Sequence, residues 1–269
     1  MLIFIRPRPF IPFGVLIKWK GERKRIYLKA IRSTGGTALK GTDGVMQIIP
    51  KKVHQAWLSG DPLKARYYPW RLSWVMLNPE MSFMFWEPNN IPYDKFTPEG
   101  SKLLQMKLKF GVKSDIIRWE LLYIFGGIWA DMDTECLRPL EEYLFALESF
   151  AGISVYPDGI GNAIVGTIPH NPLMAEIRDA TNAAVLSDIP RSFDNKRLGA
   201  AHGATFAGSN YLFRVAKILP KNYFYPFHPI DSWKIRKNPP ADLKAAFPET
   251  IILHRWEGAA PDGWGHVDY

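Results

Sequence analysis

Two aspartates, Asp131 and Asp133, stand one residue apart directly after the apolar run Ile128-Trp129-Ala130. Carboxylates are hard ligands for Mg²⁺ or Mn²⁺, and a cation held by an Asp-x-Asp pair can be shared with a diphosphate whose charge it neutralises. Solvated loop acids often show the same spacing. Here the pair follows a buried-looking strand and a Gly-Gly turn, a poor place for charges that only meet water. Just upstream, Asp115 and Arg118 are three residues apart, so on a helix they share a face. The elements that position these four residues can be read from Ser114-to-Leu140. Ile116, Trp119, Leu122 and Tyr123 recur at helical spacing and give the helix an apolar side. Gly126-Gly127 ends it, because glycine accepts the backbone angles of a helix terminus and allows close approach. Residues 128–130 then form a short strand with the two acids at its C-terminal tip, where open α/β sheets bind ligands.

The run Asp115-x-x-Arg118, Leu122-Tyr123, Gly126-Gly127-Ile128, Asp131-x-Asp133 resembles the sugar-binding region of glycosyltransferase family 32, whose members carry a DXD motif, and more distantly the glycosylating clostridial toxins. Ile49-Pro50-Lys51-Lys52-Val53-His54-Gln55-Ala56-Trp57 resembles the opening strand of that family. His254-Arg255-Trp256, followed by Trp264, resembles its closing segment. The resemblance implies an α/β, GT-A type fold with a mixed central sheet flanked by helices, and a metal site of Asp131, Asp133 and His254 for Mn²⁺ or Mg²⁺. It also implies donor binding by Trp57, Gln55, Asp115, Arg118, Asp131, Asn162, Trp256 and Trp264. Trp57 matches a base-stacking tryptophan of the toxins, and an aromatic face suits that task. Two departures stand out. His170-Asn171-Pro172 carries one residue between a His and Pro that the family has adjacent, and Ala207-Gly208-Ser209 replaces a Thr-Gly-Pro turn.

A chain of 269 residues can bury a full core, and 47% hydrophobic with 22% charged residues is ordinary for a globular protein. Ten tryptophans and eleven tyrosines are enough both for an aromatic core and for rings that stack on a sugar or base. Cys136 is the single cysteine, so no internal disulfide can form, which fits a reducing, cytoplasmic compartment. The net charge of +8 is uneven: residues 1–52 carry +10 and the remainder −2. A nucleic-acid-binding domain needs a basic face on its folded body, so this distribution argues against one.

Residues 1–45 read as a basic extension. A hairpin of Val15–Lys20 with Arg25–Ala30 and a Gly/Thr-rich linker over Ser33–Gly44 are expected there, and a peripheral membrane contact is one use for the charge. No transmembrane span or signal peptide is apparent. The catalytic unit is expected over 46–269. Alternating strands and helices imply a layered α/β domain. Helices are expected over Leu63–Leu77 (in two pieces around Pro69), from Pro98 to Lys109, and over Glu141–Glu148, Pro172–Leu186, Asn210–Leu219 and Ala241–Phe247. Strands are expected over Lys52–Trp57, Met81–Trp86, Phe150–Val155, Asn162–Thr167 and Thr250–Leu253, and a strand and turn from Tyr223. Loops are expected over Tyr156–Gly161 and Ile189–Thr205.

The function implied is metal-dependent transfer of a hexose from a UDP- or GDP-linked sugar to a glycan or glycolipid hydroxyl, with retention and with no nucleophile assigned. Asp131 and Asp133 act through the metal, and Asp115 and Arg118 grip the donor. Plainer readings exist for each residue: an ion pair for Asp115 and Arg118, a turn for Asn162, core packing for Trp57, a local hydrogen bond for His54, Gln55 and His254. The rival functions are a nucleotide-sugar or carbohydrate-binding protein without turnover and a metal-dependent phosphodiesterase. The phosphodiesterase would call for a larger His/Asp cluster than the sequence supplies.

Overall fold

A computed structural model describes residues 39–40, 46–47, 49–155, 158–194 and 211–257. The expected hairpin, most of the linker, Tyr156-Pro157, residues 195–205, Ala207-Gly208-Ser209, Gly258, Gly263, Gly265 and Trp264 lie outside them. The strands are β1 (Leu39–Lys40), β2 (Met46–Gln47), β3 (Lys52–Ala56), β4 (Ser82–Trp86), β5 (Gly127–Ala130), β6 (Thr134–Cys136), β7 (Ser149–Val155), β8 (Asp158–Thr167), β9 (Lys217–Leu219) and β10 (Ile252–His254). The helices are α1 (Tyr67–Leu77), α2 (Pro98–Gln105), α3 (Phe110–Phe125), α4 (Glu142–Phe145), α5 (Pro172–Asp194), α6 (Lys221–Phe224), α7 (Pro229–Lys237) and α8 (Leu243–Ala246).

Six strands form the central sheet in the order β4-β3-β5-β8-β7-β9. β3 is parallel to β4 and β5, β8 runs antiparallel to both β5 and β7, and β9 is parallel to β7. The mixed α/β sheet flanked by helices is therefore the architecture expected from the sequence. Side chains alternate across a strand. Accordingly Ile128 and Ala130 of β5 enter one apolar layer with Val53, Trp74 and Phe145, whereas Trp129 enters the other with Trp119, Ile116 and Val165. No helix among the described residues is long and apolar enough to cross a membrane.

Several local expectations need correction. Leu63–Arg66 is not helical; Pro69 sits in the first turn of α1, where its missing N–H costs no helical bond. The helix from Pro98 stops at Gln105, α4 shrinks to four residues, and α5 runs to Asp194 through part of an expected loop. The helix expected over Asn210–Leu219 does not form over residues 212–219: after a 3-10 turn at Leu212–Arg214, Lys217–Leu219 pairs with Phe150–Gly152. Residues 221–224 form a helical turn that takes in the start of the strand expected from Tyr223, and β8 begins at Asp158 inside an expected loop. α3 is also more than amphipathic. Residues 115–122 are all buried, so it is a central helix with its charges inside.

Candidate active site

The Gly-Gly turn sets the position of β5. Gly126 has φ 57° and Gly127 φ 92°, and a Cβ on Gly126 would come within 2.5 Å of the Pro169 nitrogen. Only glycine fits that conformation in that space. β5 runs on from there, and Asp131 extends its ladder by donating its N–H to the Ala163 carbonyl at 2.9 Å. The chain then turns, with the Thr134 N–H and hydroxyl both donating to the Asp131 carbonyl at 3.1 and 2.6 Å.

β6 follows at once and pairs antiparallel with β10, setting His254 opposite Thr134. This small second sheet brings the two ends of the site together. His254 Nε2 lies 3.2 Å from Asp133 Oδ1, and Asp133 Oδ2 accepts the Glu257 N–H at 2.9 Å. Asp131, Asp133 and His254 each offer one ligand atom, and these atoms all lie within 4.8 Å of one another. Two carboxylates and an imidazole suit Mn²⁺ and accept Mg²⁺, so the donor set fits the expected cation.

Asp131 is held from behind. Its Oδ1 accepts both the Arg118 guanidinium at 2.7 Å and the Trp129 indole N–H at 2.6 Å. Arg118 also donates to Asp115 Oδ1 at 3.0 Å, which takes a further bond from the Asn162 amide at 3.0 Å. Arg118 is only 2% exposed. Asn162, Asp115, Arg118 and Asp131 thus form one chain of charge-assisted hydrogen bonds reaching the DXD turn. Burial, reinforced by the Asp133 charge, pushes the Asp131 carboxyl up against the pull of Arg118. For Asp133 burial also works upward, but the His254 charge and hydrogen bond outweigh it and hold the carboxyl below its usual range. His254 in turn is raised: burial opposes its charge, and Asp133 overcomes that.

The structure brings Asp115, Arg118, Asp131, Asp133, Asn162 and His254 together. Trp256 packs on His254 with ring centroids 4.2 Å apart, its backbone in the left-handed region at φ 55°. Trp57 follows β3, packs on Tyr67 at 5.3 Å and donates its indole N–H to the Asp61 carbonyl. Gln55 is buried with no hydrogen-bond partner for its Nε2. Trp264 lies outside the described residues. His54 is built into the core: Trp86 donates to its Nδ1 at 3.1 Å, and its Nε2 lies 2.9 Å from the Gly126 carbonyl.

Three contributors escaped the reading of the sequence. Trp129 had a signal, since residues two apart in a strand share a face and Asp131 follows it by two. Tyr225 had none; it packs on both His254 and Trp256, at 5.6 and 5.9 Å, and its hydroxyl covers Gly161. Glu257 joins through its backbone N–H and through its side chain, which pairs with Arg66 at 3.1 Å.

Comparison with known proteins agrees with the resemblance read from these residues. A glycosyltransferase of Acanthamoeba polyphaga mimivirus, L373, described as uncharacterized, is 26% identical over 133 residues, covering 47% of this chain and 53% of that protein. Mannosyl phosphorylinositol ceramide synthase SUR1 of Saccharomyces cerevisiae is 27% identical over 129 residues, covering 47% and 33%. The match thus spans about half the length of the first of these relatives and a third of the second. Among solved structures, the PaToxG glycosyltransferase aligns with a TM-score of 0.47 at 15% identity, over 71% of this chain and 76% of that one. Residues 70–150, which include Asp131-Met132-Asp133, match the family described as a glycosyltransferase sugar-binding region containing a DXD motif.

Proposed function

We propose that this chain is a metal-dependent glycosyltransferase of GT-A type. It moves a hexose from a UDP- or GDP-linked sugar to a glycan or glycolipid hydroxyl with retention of configuration. The observation that carries this reading is the meeting of Asp131, Asp133 and His254 at the strand ends, backed by the buried network through Arg118 and Asp115. Relatives named as mannosyltransferases of inositol phosphoceramide make mannose and a glycolipid the first donor sugar and acceptor to test.

A divalent cation bound there supplies positive charge against the diphosphate leaving group. Asp133 and His254 hold the cation, and Asp131 completes the set. Arg118 and Trp129 fix the Asp131 carboxylate so that it needs no reorientation as charge develops. Asp115 and Asn162 are assigned to the donor sugar, Trp57 and Gln55 to the nucleotide, and Trp256 and Trp264 to donor binding. The unit 46–269 carries this chemistry, and the basic residues 1–45 act at the cytoplasmic surface of a membrane.

Release of UDP or GDP from a panel of nucleotide sugars with Mn²⁺ tests the proposal. Asp133→Ala should cut release by ~10³-fold, the scale of removing a group that stabilises charge in the transition state. Donor binding without release from any sugar, with or without acceptor, would overturn the catalytic reading in favour of a binding protein.

A further inference from the structure

α1 has two faces of different character. Its inner face fixes the DXD turn and its sequel: the Trp74 indole donates to the Thr134 carbonyl at 3.1 Å, and Ser73 Oγ accepts the Cys136 N–H at 2.8 Å. Its outer face carries Tyr68, Leu72, Val75 and Met76, which recur at helical spacing and are 55%, 55%, 44% and 70% exposed. The outer face of a surface helix ordinarily carries charge. Here Arg71 is the one charged residue of the eleven, and it lies at the side of the apolar arc with its guanidinium 3.9 Å from the Phe85 ring.

The segment that carries this face is cationic. From Pro62 to Pro79 the chain holds Lys64, Arg66 and Arg71 and no acid. Of the flanking acids, Glu80 is turned to Lys51 at 3.8 Å, Glu257 takes Arg66, Glu87 acts on Arg71, and Asp61 precedes Pro62. Apolar side chains on one arc, aromatic rings at Tyr68 and Trp70 and cations at the margin match a helix lying in the interface of an anionic bilayer. A protein partner would more usually present acids to these cations across a packed rim.

We infer that the outer face of α1 docks on an anionic membrane surface, with Leu72, Val75 and Met76 entering the acyl boundary and Lys64 and Arg71 meeting lipid phosphates. The start of the helix abuts the catalytic cluster. Tyr67 packs on Trp57, and Arg66 pairs with the Glu257 whose N–H holds Asp133. A bilayer under α1 would therefore lie beside the mouth of the site. This extends the glycolipid-acceptor proposal, but the surface stands on its own features.

The test is flotation of the full chain with phosphatidylcholine–phosphatidylserine vesicles and with pure phosphatidylcholine vesicles, without donor or metal. Leu72→Glu with Met76→Glu should lower partition into the anionic vesicles by at least ~10-fold. Phe213→Glu, at another exposed ring, should leave it unchanged. Thermal melts establish that the variants are folded. Equal partition of the double variant and the parent would overturn the inference, because the binding would then come from elsewhere, such as the basic residues 1–52. Absence of partition by the parent would overturn it too, as would a parent dimer that the double variant dissociates without change in vesicle binding. Because no donor is present, these outcomes are independent of whether nucleotide release is found.

Discussion

His54 and His254 are both buried in strands of one small protein, and their surroundings ask opposite things of them. His54 is hydrogen-bonded only to neutral groups, and the one charge acting on it, that of Lys52, opposes its protonation. The Trp86 indole can only donate and the Gly126 carbonyl can only accept, so the imidazole must be neutral with its proton on Nε2. Burial lowers its pKa to about 4. His254 is as deeply placed but faces Asp133, and that carboxylate raises it in spite of burial. Burial by itself makes a histidine part of the core. A carboxylate beside it, at the end of the strand and not inside it, makes a histidine that can join a cation site.

The largest expected effect is on stability. His54 ionises near 6.5 when unfolded and near 4 when folded, so the unfolded chain takes up its proton first. The contribution is fully present above pH 6.5 and is lost as pH falls toward 4, the loss reaching about 3 kcal/mol. Urea unfolding at about pH 7 and about pH 4.5 should show this loss, and His54→Leu should remove it from the pH profile. An unchanged profile in His54→Leu would show that the acid sensitivity comes from other groups. His254 acts in the opposite sense: its raised value adds stability below its unfolded pKa that fades as pH rises.

Next in size is the effect at His254. His254→Ala should weaken Mn²⁺ binding by ~10–100-fold and Mg²⁺ binding less, because imidazole is the softer ligand. Titration calorimetry with each cation reads the difference directly, and equal losses would place His254 outside the cation's ligands. A smaller step concerns Trp129, whose indole N–H supports Asp131 as that of Trp86 supports His54. Trp129→Phe keeps the ring in its apolar layer and removes one donor. It should cut metal-supported nucleotide release by about 10-fold with little change in melting temperature. A variant that melts lower but releases nucleotide normally would assign Trp129 to packing alone. The smallest effect belongs to the basic extension: a chain starting at Met46 should fold and release nucleotide as the full chain does. Loss of solubility or of release would make residues 1–45 part of the catalytic unit.

What the sequence made legible follows the same contrast. The acids after Ile128-Trp129-Ala130, the Gly-Gly break and the face shared by Asp115 and Arg118 are all local, and local spacing is enough to find them. The partners of those acids are another matter. Arg118 reaches Asp131 as well as Asp115 because a helix and the strand after it pack side by side, which spacing within the helix does not contain. His254 meets Asp133 only through the register of β6 with β10, and that register is a tertiary fact. Leu212, Val215 and Leu219 have helical spacing, yet Lys217–Leu219 forms a strand on β7, because pairing there satisfies the N–H and C=O groups that the edge of β7 would otherwise leave to water.

The pairing of β6 with β10 also sets a schedule. Glu135 and Arg255, which join the two strands side chain to side chain, are 120 residues apart. A ribosome adding about 5–20 residues per second needs roughly 6–24 s to travel between them. Throughout that interval the acids of the DXD turn have been made and their histidine has not, so a nascent chain can build its central sheet before it can hold a cation through all three ligands. The Asp131-Asp133-His254 cluster is completed late, with β10, and any event that stops translation before it leaves a folded body without a finished cluster.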